Sequence, residues 1–388
     1  MSKHFETEAI RNQTERSQFS EHSTPLYLTS SFVFDDAEEM RLSFAEEKER
    51  NLYSRFTNPN TTEFVDKIVA MEGAEAGYAF ATGMAAIFSS FAALLNAGDH
   101  IVSCRSVFGS THGMFSNYLP KWNIETSYFK VNEVDLIEGL IKENTKILYI
   151  ETPTNPGLDI LDLELIGNIA KKHNLIFIVD NCFATPYIQQ PIKFGADLVI
   201  HSATKLIDGQ GRVLGGVTVG NKKLLREIYL FARNTGPAMS PFNAWVLSKS
   251  LETLSIRVEK HCENALKVAN FLEGNKNVKF VKYPFLKTHP QYEVAKTQMK
   301  LGGNIVAFEI KGGLEAGVAF LDKIKMCSLS ANLGDTRTIV SHPSSTTHGR
   351  LSIEDRLEVG ITDGLVRISV GLEHAEDIIA DIQQALEL

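Results

Sequence analysis

Residues 175–205 read Leu175-Ile-Phe-Ile-Val-Asp180-Asn-Cys-Phe-Ala-Thr-Pro-Tyr-Ile-Gln-Gln-Pro-Ile-Lys-Phe-Gly-Ala-Asp-Leu-Val-Ile-His201-Ser-Ala-Thr204-Lys205. Two short, β-rich apolar runs, Leu175–Asp180 and Asp197–His201, each stop abruptly at polar residues. Runs of this kind also occur at Tyr78–Ala81, His100–Cys104, Lys146–Glu151 and Gly216–Val219. Helix-length segments such as Ala85–Leu95 and Leu163–His173 lie between them. Near-continuous apolar strands spaced by helices predict an α/β chain with a mostly parallel sheet covered on both faces.

The pattern changes on either side. Residues 1–55 have little apolar periodicity and predict an extended arm with short helices, too irregular to fold alone. Long helical stretches follow Asn221, including one from Pro241 to about Leu272. A second strand–helix region then runs through Val278–Tyr283, Ile305–Ile310, Thr338–Ser341 and Leu365–Val370 to a helix beginning at His374. The expected division is an arm (1–55), a large domain (56–250) and a smaller C-terminal α/β domain (251–388).

Composition narrows the function. With 388 residues the chain can bury two cores, and 44% hydrophobic against 22% charged residues excludes disorder. A net charge of −8 with no long basic run argues against nucleic acid and anionic membranes. Cys104, Cys182, Cys262 and Cys327 form no CxxC pair, which suits a reducing compartment. The histidines show no HExxH or similar ligand spacing, so no metal site is expected. The polar N-terminus lacks a signal-peptide core, and no apolar run approaches the ~20 residues of a membrane span. A cytoplasmic location is expected.

Ligands in open α/β folds collect at the carboxyl ends of strands, and there the polar signals lie. Lys205 is either a solvated surface charge or, held at a strand end and partly desolvated, an amine ready to form a Schiff base. Ser202 and Thr204 beside it could donate hydroxyls to a phosphate. Asp180 is a helix cap, a salt-bridge partner, or the counter-charge to a ring nitrogen, because a buried carboxylate needs a cation. Thr82-Gly83-Met84 is a simple helix start or a phosphate site made of backbone N–H groups. Another strand ends in Glu151-Thr-Pro-Thr-Asn155. Tyr53-Ser-Arg55 is a turn before a helix with Arg55 at the surface, or part of a site. Arg367 interrupts an apolar strand and needs an anion, structural or bound.

Together these residues resemble the Cys/Met-metabolism family of pyridoxal 5′-phosphate (PLP) enzymes: cystathionine synthases and lyases, methionine γ-lyase and the homoserine-ester sulfhydrylases. The resemblance runs from Tyr53-Ser-Arg55 to Arg367-Ile-Ser-Val-Gly-Leu-Glu373. It implies PLP-dependent transferase fold type I, like aspartate aminotransferase, and a homotetramer built from two active-site dimers. It makes Lys205 the Schiff-base lysine and Asp180 the partner of the pyridine nitrogen. Gly83, Met84, Ser202 and Thr204 become phosphate ligands. Tyr53 and Arg55 are implied to complete the phosphate site of a neighbouring subunit, with Tyr53 among the catalytic residues. Asn155, Asn332 and Arg367 become substrate ligands, with Arg367 on the α-carboxylate.

Within the family the chain is most similar to the O-succinylhomoserine sulfhydrylases. The markers are His201–Arg212, Met239-Ser-Pro-Phe-Asn-Ala-Trp245, and Asn332-Leu-Gly-Asp-Thr-Arg337 followed by His342-Pro-Ser-Ser-Thr-Thr-His348. The ring that stacks on the cofactor is usually tyrosine, and here it is Phe108, counted with Lys205 and Tyr53 in the catalytic group. Phenylalanine keeps the stacking face but has no hydroxyl to move a proton. The same change belongs to the sulfhydrylase pattern. Relatives that process cystathionine commonly place a glutamate where this chain has Arg337. Arg337 is therefore expected to meet an anionic acyl tail, or else to pair with Asp335.

The implied reaction is γ-replacement, in which O-succinylhomoserine and sulfide give homocysteine and succinate, a step of methionine biosynthesis. The alternatives on the same cofactor are O-acetylhomoserine sulfhydrylase, cystathionine γ-synthase and methionine γ-lyase-type activity. An alternative of another class, a dinucleotide-binding oxidoreductase, lacks its GxGxxG turn here. A non-catalytic protein of the same fold is argued against by the set Lys205, Asp180 and Arg367.

Overall fold

A computed structural model describes residues 3–346, 349 and 352–387. Seven strands form the first sheet: β1 (Ala76–Phe80), β2 (His100–Cys104), β3 (Glu125–Phe129), β4 (Thr145–Glu151), β5 (Ile176–Asp180), β6 (Leu198–Ser202) and β7 (Gly216–Gly220). Their order is β1-β7-β6-β5-β4-β2-β3. Strands β2 to β6 pair in parallel, while β7 runs antiparallel to both β1 and β6. The sheet is mostly parallel, as the apolar runs require: β2 and β7 are buried along their whole length.

The start of the helix Gly83–Leu94 is fixed from both sides. The Thr82 hydroxyl caps it by accepting from the Ala85 N–H at 3.0 Å. From below, β7 comes so close that a Cβ on Gly216 would lie 2.1 Å from the Thr82 carbonyl oxygen. The helix N-terminus is thereby held over the ends of the central strands.

A second sheet holds β8 (Val278–Lys282), β9 (Ile305–Ile310), β10 (Ser328–Leu329), β11 (Ile339–Ser341) and β12 (Leu365–Ser369), in the order β10-β11-β12-β9-β8. Only β10 and β11 pair in parallel. Its core, with Phe308, Phe320, Val366 and Ile378, is distinct from that of the first sheet. One helix serves both. Leu254, Val258 and Cys262 of Leu254–Glu273 face the first core, and Ala265, Val268 and Leu272 face the second.

Three expectations need correction. The stretch predicted as one helix from Pro241 is two, Pro241–Leu251 and Leu254–Glu273, with no proline or glycine marking the break. Strand β3 was not anticipated: Glu-Thr-Ser-Tyr-Phe pairs on one side only, and such an edge strand needs no apolar run. The two-residue β10 was also missed.

The arm carries two short helices, Phe5–Arg11 and Ala37–Phe44, as expected. It is tied to the helix Pro59–Glu72 through Glu63, whose buried carboxylate accepts from the Thr14 N–H at 3.1 Å and from the Thr24 hydroxyl. The Ser248 hydroxyl donates to the same carboxylate at 2.7 Å, and Lys67 Nζ lies 3.1 Å away.

Candidate active site

A cavity of about 280 Å³ opens at the carboxyl ends of β4, β5 and β6, with part of its wall supplied by β12 and the loop before β11. Parallel pairing sets Glu151 of β4 directly beside Asp180 of β5. Both carboxyls are buried. Asp180 accepts from the Cys182 N–H at 3.0 Å and the Tyr149 hydroxyl at 3.4 Å. Neither donor is a cation, and among the described residues no lysine or arginine pairs with Asp180. Burial pushes its carboxyl up to about 6, against those donors and the nearby His201. Burial and the Asp180 charge likewise hold the Glu151 carboxyl well above its ordinary range.

Strand β6 ends at Ser202 and turns into Thr204 and Lys205. Thr204 is fixed to Gly215, its hydroxyl oxygen accepting from the Gly215 N–H at 3.1 Å. Lys205 Nζ donates to Asn332 Oδ1 at 2.7 Å. Burial, reinforced by the Arg367 charge, lowers the lysine's pKa and favours the free amine. The loop bearing Asn332 packs against the lysine's own backbone at Gly334, which has φ +74°. A Cβ there would fall 2.6 Å from the Leu206 nitrogen and 3.0 Å from the Lys205 carbonyl carbon, so glycine is required.

At the start of the helix Gly83–Leu94, Gly83 lies against Ser202: a Cβ on Gly83 would come 2.7 Å from that of Ser202. The bare backbone leaves the helix N-terminus open to an anion beside the Ser202 hydroxyl. Met84 and the half-exposed ring of Phe108 form further wall. Arg367 of β12 donates from Nη1 to Asn155 Oδ1 at 3.0 Å and from Nη2 to the Asn332 carbonyl at 3.2 Å. Its Nε has no partner, and among the described residues no carboxylate pairs with it. Burial draws the guanidinium down to about 10. Such a buried cation awaits an anion.

Gly83, Met84, Phe108, Asn155 and Asp180 thus meet Ser202, Thr204, Lys205 and Arg367 around one cavity. Asn332 joins them through the lysine. Three expected residues lie elsewhere. Arg337 is exposed and clasps Asp335 at 2.8 and 3.0 Å, with a further bond to the Gln210 carbonyl. Of the two partners expected for Arg337, the ion pair with Asp335 is the one present here. Tyr53 and Arg55 are also absent from this wall. Arg55 donates to the Arg233 carbonyl and lies over the rings of Tyr53 and Phe56. Thr347 and His348 of the marker stretch lie outside the described residues.

The donor set suits PLP: an amine, an open helix N-terminus with hydroxyls, and a buried carboxylate lacking a cation. The model of the Cys/Met metabolism PLP-dependent enzymes matches residues 6–387. This chain belongs to that family. It is 44% identical to O-succinylhomoserine sulfhydrylase of Pseudomonas aeruginosa, over 98% of this chain and 95% of that one. It is also 44% identical to L-methionine γ-lyase of Fusobacterium nucleatum, over 98% and 97%. A Campylobacter jejuni structure assigned as O-acetylhomoserine (thiol)-lyase superposes with a TM-score of 0.95 at 33% identity. That match covers 99% of this chain and 100% of the other, which carries N′-pyridoxyl-lysine-5′-monophosphate at its position 205.

Membership makes this a PLP-dependent enzyme of Cys/Met metabolism, with the fold that the resemblance implied. The oxidoreductase alternative falls with it. Among the residues that sequence reasoning passed over, Glu151 matters most. It was quoted as a strand end, and its signal was the one that singled out Asp180: a carboxylate closing a buried apolar run. Cys182, Phe183, Leu214 and Leu333 also line the cavity without having been selected.

Proposed function

We propose that this enzyme catalyses γ-replacement on an O-acylated homoserine, with O-succinylhomoserine and sulfide giving homocysteine and succinate. The observation that carries this reading is Phe108, because among the described residues lining the cavity there is no tyrosine. A thiolate leaving group, as from methionine, has a conjugate acid of pKa above about 8 and benefits from a general acid. Succinate leaves as a carboxylate whose conjugate acid has pKa about 4, and needs no proton. A stacking ring that itself carries no phenol fits the carboxylate leaving group better.

In this reading Arg367, held by Asn155, binds the substrate α-carboxylate, and its partnerless Nε supports that role. Lys205 takes the protons from Cα and Cβ, with Asn332 orienting the amine. Asp180 would hold the ring nitrogen of PLP, while Gly83, Met84, Ser202 and Thr204 would hold its phosphate and Phe108 would stack on its ring. When bound, PLP supplies the electron sink that lets carbon acids ionise at neutral pH. The position-205 lysine of the Campylobacter relative supports the choice of Lys205.

The proposal also includes a cytoplasmic homotetramer in which Tyr53 and Arg55 reach a neighbour's cavity. Their absence from the wall of this chain's own cavity supports the shared site, and among the described residues no helix is long and apolar enough to cross a membrane. A second reading, γ-elimination from methionine, is favoured by the equal identity to the Fusobacterium lyase. Initial rates separate the two. The proposal expects kcat/KM for O-succinylhomoserine with sulfide to exceed that for methionine by at least about hundredfold, the size of a general-acid effect. Comparable values would overturn it in favour of the lyase.

A further inference from the structure

Glu151 stands at the junction of two loops. Strands β2 and β4 run parallel and adjacent. The chain leaving β2 reaches Phe108, and the chain leaving β4 reaches Asn155. The Phe108 N–H donates to Glu151 Oε2 at 2.6 Å. Glu151 is itself buried and lines the cavity. A side chain at the end of β4, the strand that leads directly to Asn155, therefore holds the backbone under the aromatic wall.

We propose that Glu151 is a positioning residue that ties the Phe108 loop to the end of β4, and so holds the ring in a fixed relation to the Asn155–Arg367 pair to which that strand leads. The inference rests on the roles given above to Phe108 and Arg367. A salt bridge is not its purpose: among the described residues no lysine or arginine pairs with Glu151, and the groups it meets are the Phe108 N–H and the neighbouring Asp180. Nor does it cap its own element: it accepts from a backbone N–H forty-three residues away in sequence. Loss of the carboxyl leaves the Phe108 N–H without its acceptor and frees that loop from β4. The aromatic wall and the carboxylate clamp would then move independently.

The test uses PLP-loaded wild type, Glu151→Gln and Glu151→Ala, with Lys205→Ala as control. L-norleucine, which has no γ-leaving group, is titrated and read by the visible absorption of the cofactor; visible circular dichroism reports the cofactor's asymmetric surroundings. Glu151→Ala is expected to weaken norleucine binding roughly tenfold, about one hydrogen bond's worth, and to halve the visible dichroism or more. Glu151→Gln keeps an acceptor and should fall between. A role confined to folding would lower the melting temperature of both variants while leaving norleucine affinity and dichroism at wild-type values, and that result overturns the proposal. Should Glu151→Ala not fold, wild-type affinity and dichroism in Glu151→Gln do the same. A wild-type covalent cofactor band in Lys205→Ala would instead sink the reading on which the inference rests.

Discussion

Two regions of this molecule bury charge, and they do so in opposite ways. Around Glu63 the interior is closed. Lys67, the Thr24 and Ser248 hydroxyls and the Thr14 N–H all converge on one carboxylate. Burial alone would raise its pKa, but these partners hold it below its ordinary value. Around Asp180 the interior is open. Among the described residues, the two neighbouring carboxyls pair with no lysine or arginine, and across the cavity the buried Arg367 pairs with no carboxylate. A folded chain tolerates buried charge when the chain itself neutralises it. Charge left without a counter-ion marks where something else is meant to bind.

The comparison fails first if Lys205 is dispensable. Lys205→Ala should lower kcat by about ten-thousandfold, as loss of a covalent and proton-moving group does. Borohydride reduction followed by peptide mapping should find no pyridoxyl group at position 205. The closed cluster is tested by Lys67→Met, which strands the Glu63 carboxylate. Stability should fall by about 3–5 kcal/mol, read as lower thermal and denaturant midpoints, with kcat per bound PLP within about twofold of wild type.

Asp180→Asn should sharpen the contrast by moving stability and function in opposite directions. A carboxyl raised to about 6 stabilises the fold fully below its unfolded value near 4 and loses that contribution as pH rises through 6. Without PLP, the Asn variant should therefore melt above wild type at pH 8, by roughly 2–3 kcal/mol, and match it near pH 4. With PLP, its kcat should fall by about hundredfold. Phe108→Tyr should give the smallest effect. Supplying a phenol should raise elimination from methionine about tenfold and leave the O-acylhomoserine reaction within about threefold.

Short apolar runs made the central strands legible, because a strand buried on both faces has no choice of residue type. Edge strand β3 escaped for the converse reason. Lys205, Asp180 and Gly83 could be read because strand ends and a helix start place them locally. For Arg337 the sequence left two partners open, and the one formed here, Asp335, lies two residues away in the chain. The bond from Arg367 to Asn155 joins residues 212 apart, and nothing local encodes it. Glu151 obeyed the rule applied to Asp180 and was missed only because its loop partner was unknown.

At Gly334 the two sheets are bolted together. The loop from the second sheet meets the Lys205–Leu206 peptide without room for one methyl group. The same loop carries Asn332, which grips the lysine's amine and, through its carbonyl, the guanidinium of Arg367. Any shear between the sheets must therefore displace the lysine's backbone and its side-chain tether as one piece. The Lys205 amine and the Arg367 guanidinium thus share a single mount at Asn332, and motion of the C-terminal half carries both rather than changing the distance between them.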